Sequence, residues 1–231
     1  MALRSAAGAA LGLLLGLLAR PAAAAPACPP VKPQVRVSIS DPEPRLSTAF
    51  GIDALHAKSG RPRSANVHHL ALTSSRVEWE GEIDARTATG RGGVCARPER
   101  VVLTLAQTEH LIRIAREIRR GSCLFREVEA HERRHVAVNR RTLRAAAARA
   151  RKAAIAWAAT AEGRGATERE AVAALQRGLR HAIEGTVAVM RAQRDAAHRG
   201  IDTEAEYRRL SRVCSADQRA LREKLRAVSA D

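Results

Sequence analysis

Hydrophobic and polar residues alternate over several short segments in the first half of the chain, a pattern typical of half-buried β-strands. The alternating segments are residues 35–40, 67–80 and 100–105. Glycines at positions 90, 92 and 93 predict a hairpin turn, and residues 41–65, which contain several Pro and Gly, predict a loop with a short helix near 52–57. We therefore expect a small antiparallel sheet in this half.

In the second half the apolar positions recur every three or four residues, which indicates amphipathic helices. Gly121 is a suitable end for a helix, and the pairs Thr167 with Glu170 and Thr203 with Glu206 have the spacing of capping boxes. The predicted helices are residues 107–119, 122–160, 167–198 and 203–226. The sequence thus predicts an α+β fold in which a small N-terminal antiparallel β-sheet packs on long α-helices.

Residues 1–27 have the layout of a secretory signal peptide. Arg4 gives a positively charged start, residues 6–19 form an apolar run of Leu and Ala, and small residues at 22–27 offer cleavage sites. The apolar run is too short for a transmembrane helix, and no later stretch reaches membrane-spanning length. We therefore expect an exported protein, periplasmic or extracellular.

Removal of that segment leaves a predicted single domain at residues 28–231. Its β-rich part covers residues 28–106 and its helical part covers 107–231. Cleavage after Ala27 would leave Cys28 at the new N-terminus, where a lipid anchor is an alternative to a free chain end.

Four cysteines remain after the signal segment, and an even number in an oxidising compartment predicts two disulfides. Three pairings are open among four cysteines. We favour Cys95 with Cys123, because they flank one strand–helix unit, and this leaves Cys28 with Cys214. The long spacings and the lack of a C-x-x-C motif argue against a four-cysteine zinc site.

The chain is strongly basic, with a formal net charge of +16. Basic proteins can bind nucleic acid, but aromatic residues make up only 2% of the chain, so little material exists for base stacking. The arginines are also scattered along helical segments. We interpret them as solvated helix faces and do not expect a nucleic-acid partner.

One motif carries candidate chemistry, the H-E-x-x-H sequence from His131 through Glu132 to His135. Residues four apart share a helix face, so both imidazoles can bind one ion. Zinc accepts imidazole nitrogen, and catalytic zinc sites keep one position for a water whose pKa the metal lowers toward 7. Glu132 is the candidate general base on that water. The motif predicts one Zn²⁺ per chain.

The two histidines lie on an apolar stripe of their predicted helix. Its members follow at intervals of three and four residues: Leu124, Val128, His131, His135, Val138 and Thr142. The histidines should therefore face the interior, where a polar group is costly without a partner. A shared metal gives both imidazoles a partner. The structural alternative is two core histidines that bond to other groups.

The segment from Gly121 to Leu143 has Gly-Ser-Cys ahead of the helix and HERRHVAVNRRTL along it. It resembles a bacterial family of secreted proteins of unknown function that are described as predicted zinc-dependent proteases. The resemblance implies a zincin-like metallopeptidase, with a small sheet beside the active-site helix and with His131, Glu132 and His135 in their usual roles.

Two features depart from that pattern. The residues between the histidines are usually uncharged in such peptidases, whereas here they are Arg133 and Arg134. The family's later segment has an aspartate with a histidine a few residues further on, whereas this chain has Asp202 followed by Tyr207. The second departure leaves the third metal ligand open.

A catalytic zinc site needs a third protein ligand. His198 is the first candidate, because it ends a long predicted helix that can fold back on the active-site helix; it could instead be a helix-terminal histidine favoured by the dipole. Glu184, at the edge of the apolar stripe of that helix, is the alternative ligand. Asp202 can orient His198 or cap a helix, and Tyr207 can stabilise an oxyanion or simply pack.

Two functions of different classes follow. The first is an exported zinc metallopeptidase that acts on a peptide or protein substrate, with Glu132 taking a proton from the zinc-bound water and returning it to the leaving amine. The alternative is a non-catalytic helical envelope or interaction protein, whose histidines are structural or bind metal without turnover. Only the peptidase needs Glu132.

Overall fold

A mixed β-sheet and a layer of helices form the part of the chain that the computed structural model describes, residues 26–60 and 70–228. The strands are β1 (Gln34–Ser40), β2 (Arg45–Ser47), β3 (Ala71–Gly90), β4 (Gly93–Ile114) and β5 (Gly163–Gly165). The helices are α1 (Ile52–Ser59), α2 (Cys123–Thr160), α3 (Glu168–Ile201), α4 (Glu204–Arg212) and α5 (Ser215–Val228). The predicted α+β class is confirmed. The signal-peptide prediction falls almost wholly outside the described residues.

The long strand β4 is the centre of the sheet. β3 pairs antiparallel with it from Ala71 opposite Ile114 to Gly90 opposite Gly93, so the predicted hairpin is present. Along the other edge of β4, β1 and β2 pair parallel and β5 pairs antiparallel. The sheet is therefore mixed, and the expectation of a wholly antiparallel sheet was wrong. The long connections from β1 and β2 to β4 let these strands run in the same direction.

β4 continues to Ile114, where the sequence predicted a helix at 107–119. Buried side chains alternate along β4 from Val101 to Gln107, and a β-bulge at Thr108 then inserts one extra residue. His110 begins a second alternating series. The helix prediction was wrong because the bulge breaks the period-two pattern, while pairing with β3 keeps the backbone extended. The β-rich part therefore ends near residue 114, not at 106.

The turn before α2 and the caps of α2 set the position of this helix. Gly121 has φ +74°, a left-handed conformation that glycine adopts without strain. The Oγ of Ser122 accepts the Phe125 N–H at 3.2 Å, and a cap of this kind contributes about 1 kcal/mol to stability. Asp217 of α5 accepts the Leu124 N–H at 2.9 Å. The predicted start of α2 at Ser122 is confirmed.

α3 runs back along α2, and both helices pack on the sheet. The capping box of Thr167 and Glu170 that was predicted at the start of α3 is present. The shared core contains short alanine side chains of α2, which let the helices approach closely, and larger apolar residues of β4 and α3. All six residues of the predicted α2 stripe are buried: Leu124, Val128, His131, His135, Val138 and Thr142.

The single C-terminal helix predicted at 203–226 is divided into α4 and α5. Cys214 lies between them with φ +57°, a left-handed conformation that a continuous α-helix does not accommodate. The break allows α5 to fold against the start of α2, where Leu221 joins a core cluster with Leu124 and Val128. None of the described helices is long and apolar enough to cross a membrane.

Two disulfides are present, as predicted, but the predicted pairing was wrong. Cys28 is bonded to Cys95, and Cys123 is bonded to Cys214. The expected bonds were Cys95–Cys123 and Cys28–Cys214. Cys95 lies at the start of β4, and the extended strand carries the chain roughly 60 Å, at about 3.3 Å per residue, before the turn that leads to Cys123. The two cysteines therefore lie at opposite ends of the sheet.

Candidate metal centre

Three side chains with metal-ligating atoms converge where α2 meets the junction of α3 and α4. His131 and His135 lie one turn apart on the buried face of α2, and Asp202 is the residue that ends α3. His131 Nε2 is 3.2 Å from both His135 Nε2 and Asp202 Oδ1, and His135 Nε2 is 3.1 Å from the same oxygen. These three buried or half-buried residues could hold a metal ion.

Asp202, and not His198 or Glu184, completes this cluster of three. His198 lies beside the cluster, with its Nδ1 2.8 Å from His135 Nδ1. Glu184 is exposed on α3 and is not part of the cluster. The ring of Tyr207 is half-buried, and its centroid lies 6.4 Å from that of His131. In the sequence analysis Asp202 had only an orienting or capping role, and the aspartate of the similar family was the signal that could have identified it.

Glu132 lies on the side of α2 that faces β3, and its residue surface is only 5% exposed. Thr73 of β3 donates a hydrogen bond from Oγ1 to Glu132 Oε2 at 2.7 Å. Burial raises the pKa of Glu132, while the Thr73 hydrogen bond and the nearby charge of His135 oppose the rise. A carboxyl with a raised pKa exchanges protons closer to neutral pH than a solvated one does. The sequence carried no signal for Thr73.

The second nitrogen of His131 faces both Arg134 and a carboxylate of α4. Glu206 Oε1 is 3.3 Å from His131 Nδ1, and it also accepts hydrogen bonds from Arg134 and Arg209. The hydrogen bond from Arg209 lowers the pKa of Glu206 to about 2, so this group is ionised at neutral pH. Burial alone would lower the pKa of His131, but the hydrogen bond to Asp202 and the charge of Glu132 raise it above the ordinary value.

His198 is held in its neutral form by its surroundings. Burial, followed by the charge of His135, lowers the pKa of His198 to about 4. At neutral pH its ring therefore has one N–H and one lone pair, and can donate one hydrogen bond and accept another.

The two arginines inside the motif pair with carboxylates outside the three-atom cluster. Arg133 pairs with Glu129 on the same helix at 2.9 Å, and Arg134 pairs with Glu206. Both arginine side chains are 48% exposed. The charge of both arginines is therefore balanced at the surface, and Arg134 also lies 2.9 Å from His131 Nδ1, the ring nitrogen that does not face Asp202.

Comparisons with protein-family models, with curated proteins and with solved structures find no match for this chain. The resemblance of residues 121–143 to predicted zinc-dependent proteases therefore stays a prediction from the motif. What can be said of function depends on the geometry of the cluster itself.

Proposed function

We propose that this chain is an exported zinc-dependent peptidase in which His131, His135 and Asp202 bind the metal. The observation that carries the proposal is the convergence of three side-chain atoms that can ligate a metal. His131 Nε2, His135 Nε2 and Asp202 Oδ1 lie 3.1–3.2 Å from one another. A cation among these three atoms would replace the hydrogen bond between His131 and Asp202, because a ligating imidazole nitrogen must be deprotonated.

The donor set fits zinc. Two imidazole nitrogens and one carboxylate oxygen are ligands found in catalytic zinc sites, and they leave a fourth position open. Zinc–ligand distances of about 2.0–2.2 Å place the ligand atoms of a tetrahedral site roughly 3.3 Å apart. The separations here are 3.1 and 3.2 Å. Zinc in such a site lowers the pKa of water toward 7 and polarises a carbonyl oxygen.

Glu132 is the residue of this chain that would move the proton. It follows His131 directly on α2, and Thr73 fixes its carboxylate through Oε2. Oε1 is then the atom that takes up a proton and later delivers it to the leaving nitrogen of the cleaved peptide. The charges of His135 and His131 both act on the Glu132 carboxyl, which supports this role over a purely structural one.

Export is the setting that agrees best with the rest of the chain. Two disulfides are compatible with an oxidising compartment, and the described helices include none that could span a membrane. A peptide or protein in the cell envelope or outside the cell is therefore the substrate class that we propose.

The first experiment is metal analysis of the purified exported protein by mass spectrometry. We expect about one zinc per chain in the unaltered protein, a loss of zinc in His131→Ala and Asp202→Ala, and retention in Glu132→Gln. The control is His181→Ala, since His181 is an exposed histidine of α3. Zinc at control levels in both ligand variants would contradict the proposed site.

Activity against a mixed peptide library separates the two functional classes. Glu132→Gln should abolish cleavage while it keeps the zinc, because the metal ligands remain and only the proton carrier is lost. Zinc binding without cleavage by the unaltered protein would instead support the non-catalytic metal-binding alternative.

A further inference from the structure

His198 is the third histidine of this region, but both of its ring nitrogens are engaged on the far side of His135 from Asp202. Its Nδ1 lies 2.8 Å from His135 Nδ1, and its Nε2 lies 3.0 Å from Asn139 Oδ1. A ligand histidine would need one nitrogen turned toward the metal. The geometry therefore suits a residue that acts on His135 and not on the ion.

The orientation of the Asn139 amide sets the direction of the hydrogen bonds along this row, which runs from Asn139 through His198 to His135. The amide oxygen of Asn139 can only accept, so His198 Nε2 carries the hydrogen and donates it. His198 Nδ1 is then an acceptor, and the short contact requires His135 to donate its Nδ1–H. His135 Nε2 is left with its lone pair, which faces Asp202 Oδ1.

We propose that Asn139 and His198 are positioning residues that fix His135 in its metal-binding tautomer and ring orientation. The inference rests on the proposed metal site. In metalloproteins a ligating histidine commonly donates its second N–H to another group, which fixes the tautomer and increases the basicity of the ligating nitrogen. The reverse direction, with Asn139 Nδ2 as donor, would place a hydrogen on His135 Nε2 and block the metal.

Arg194 holds this row of residues in place. It lies on α3 one turn before His198, is 93% buried by residue surface, and donates to the Asn139 carbonyl at 3.2 Å. It also donates to Thr142 Oγ1 at 3.2 Å and to Ser75 Oγ of β3 at 2.9 Å. Arg194 thus joins α2, α3 and β3 at the backbone of Asn139, the residue whose side-chain oxygen accepts from His198.

The test compares His198→Leu with His198→Gln in the full protein, with His181→Leu on the exposed side of α3 as the matched control. Zinc affinity is measured by competition with a chromophoric chelator, and the ligand set is read from the Co²⁺ spectrum at saturation. We expect His198→Leu to weaken zinc binding by about 10- to 100-fold. The saturated Co²⁺ spectrum should stay unchanged, because the three ligands remain.

Glutamine tests the hydrogen bond itself, since its side-chain oxygen can accept the His135 Nδ1–H whereas leucine cannot. His198→Gln should therefore keep more of the zinc affinity than His198→Leu. A residue needed only for packing would be replaced at least as well by leucine, so equal affinities in the two variants would overturn the inference. An altered Co²⁺ spectrum at saturation would also overturn it, because it would make His198 a ligand.

Asn139→Asp is the second variant, and it keeps the inference testable should leucine at 198 prevent folding. A carboxylate can only accept, so we expect zinc affinity at least equal to that of the unaltered protein. A tenfold loss of zinc affinity would contradict the proposed direction of the hydrogen bonds from His135 through His198 to Asn139. Absence of zinc binding in the unaltered protein would overturn the proposed function as well, whereas equal affinities in all variants would overturn only this inference.

Discussion

Glu132 is the residue at which the proposed chemistry conflicts with folding stability. Its carboxyl is buried beside the sheet, and a buried ionised group is costly unless it is hydrogen-bonded. The Thr73 hydroxyl supplies such a bond, and the neighbouring histidines supply charge of the opposite sign when protonated. A residue of the sheet, Thr73, therefore supplies the hydrogen bond that the buried Glu132 carboxyl needs.

We predict that Thr73→Val lowers the stability of the metal-free protein. Valine keeps the β-branched shape and removes the donor, so a buried acceptor loses its partner. The free energy of unfolding, measured by urea denaturation, should fall by about 1–3 kcal/mol. Thr89→Val, at an exposed position of the same strand, is the control. Equal losses in both variants would mean that the hydrogen bond contributes nothing specific.

At this scale the sequence predicted the residues that are close along the chain and missed those brought in by tertiary structure. His131, Glu132 and His135 share one helix, so their spacing alone places them together. Asp202 reaches His135 across 67 residues, and Thr73 reaches Glu132 across 59. Those contacts depend on the length of α3 and on where β3 lies against α2, neither of which the local pattern specifies.

Elements that begin with a local signal were predicted correctly, whereas the element that depends on non-local pairing was not. The caps at Ser122 and Thr167 involve residues three positions apart, so the sequence contains the whole interaction. The second half of β4 is extended because β3 pairs with it, and its bulge hides the alternation. Thr203 caps α4 as expected, but the Glu206 side chain turns to His131 and Arg134 and does not complete the box.

α5 provides α2 with a cap, and its strength should depend on pH. The Leu124 N–H that Asp217 accepts lowers the pKa of this carboxyl. A carboxyl whose pKa is lower in the folded state stabilises the fold at pH values above its unfolded pKa of about 4, and this contribution disappears as the pH falls through the folded value.

Asp217→Asn should therefore lower the melting temperature at pH 7, and the difference from the unaltered protein should shrink as the pH falls below about 4. Thermal melts across this range test the prediction. Glu223→Gln, at an exposed position of the same helix, is the control and should show no such dependence. A difference that stays constant with pH would indicate that packing, not charge, is lost in the variant.

On the scale of the whole molecule, a disulfide outside the candidate site links the two segments that form it. His131 and His135 belong to α2, whereas Asp202 and Glu206 belong to the segment that joins α3 and α4. The Cys123–Cys214 bond ties the start of α2 to the end of that segment, so every candidate ligand lies inside the 91-residue separation that it closes. The Cys28–Cys95 bond encloses none of them.

The two disulfides should therefore differ in their effect on the metal site. Replacing Cys123 and Cys214 together by serine should lower the free energy of unfolding by about 2–4 kcal/mol, because the unfolded chain gains freedom. It should also weaken zinc binding, since the segment that joins α3 and α4 then loses its covalent link to the start of α2.

The matched control replaces Cys28 and Cys95 by serine. This removes a disulfide that spans a comparable 67 residues, none of them a candidate ligand. This variant should lose stability to a similar extent and keep its zinc affinity. Urea denaturation and chelator competition on both proteins separate the two effects. If zinc binding weakened equally in both, the loss would follow from general loosening of the fold. If it weakened only without the Cys123–Cys214 bond, that bond holds the two halves of the site together.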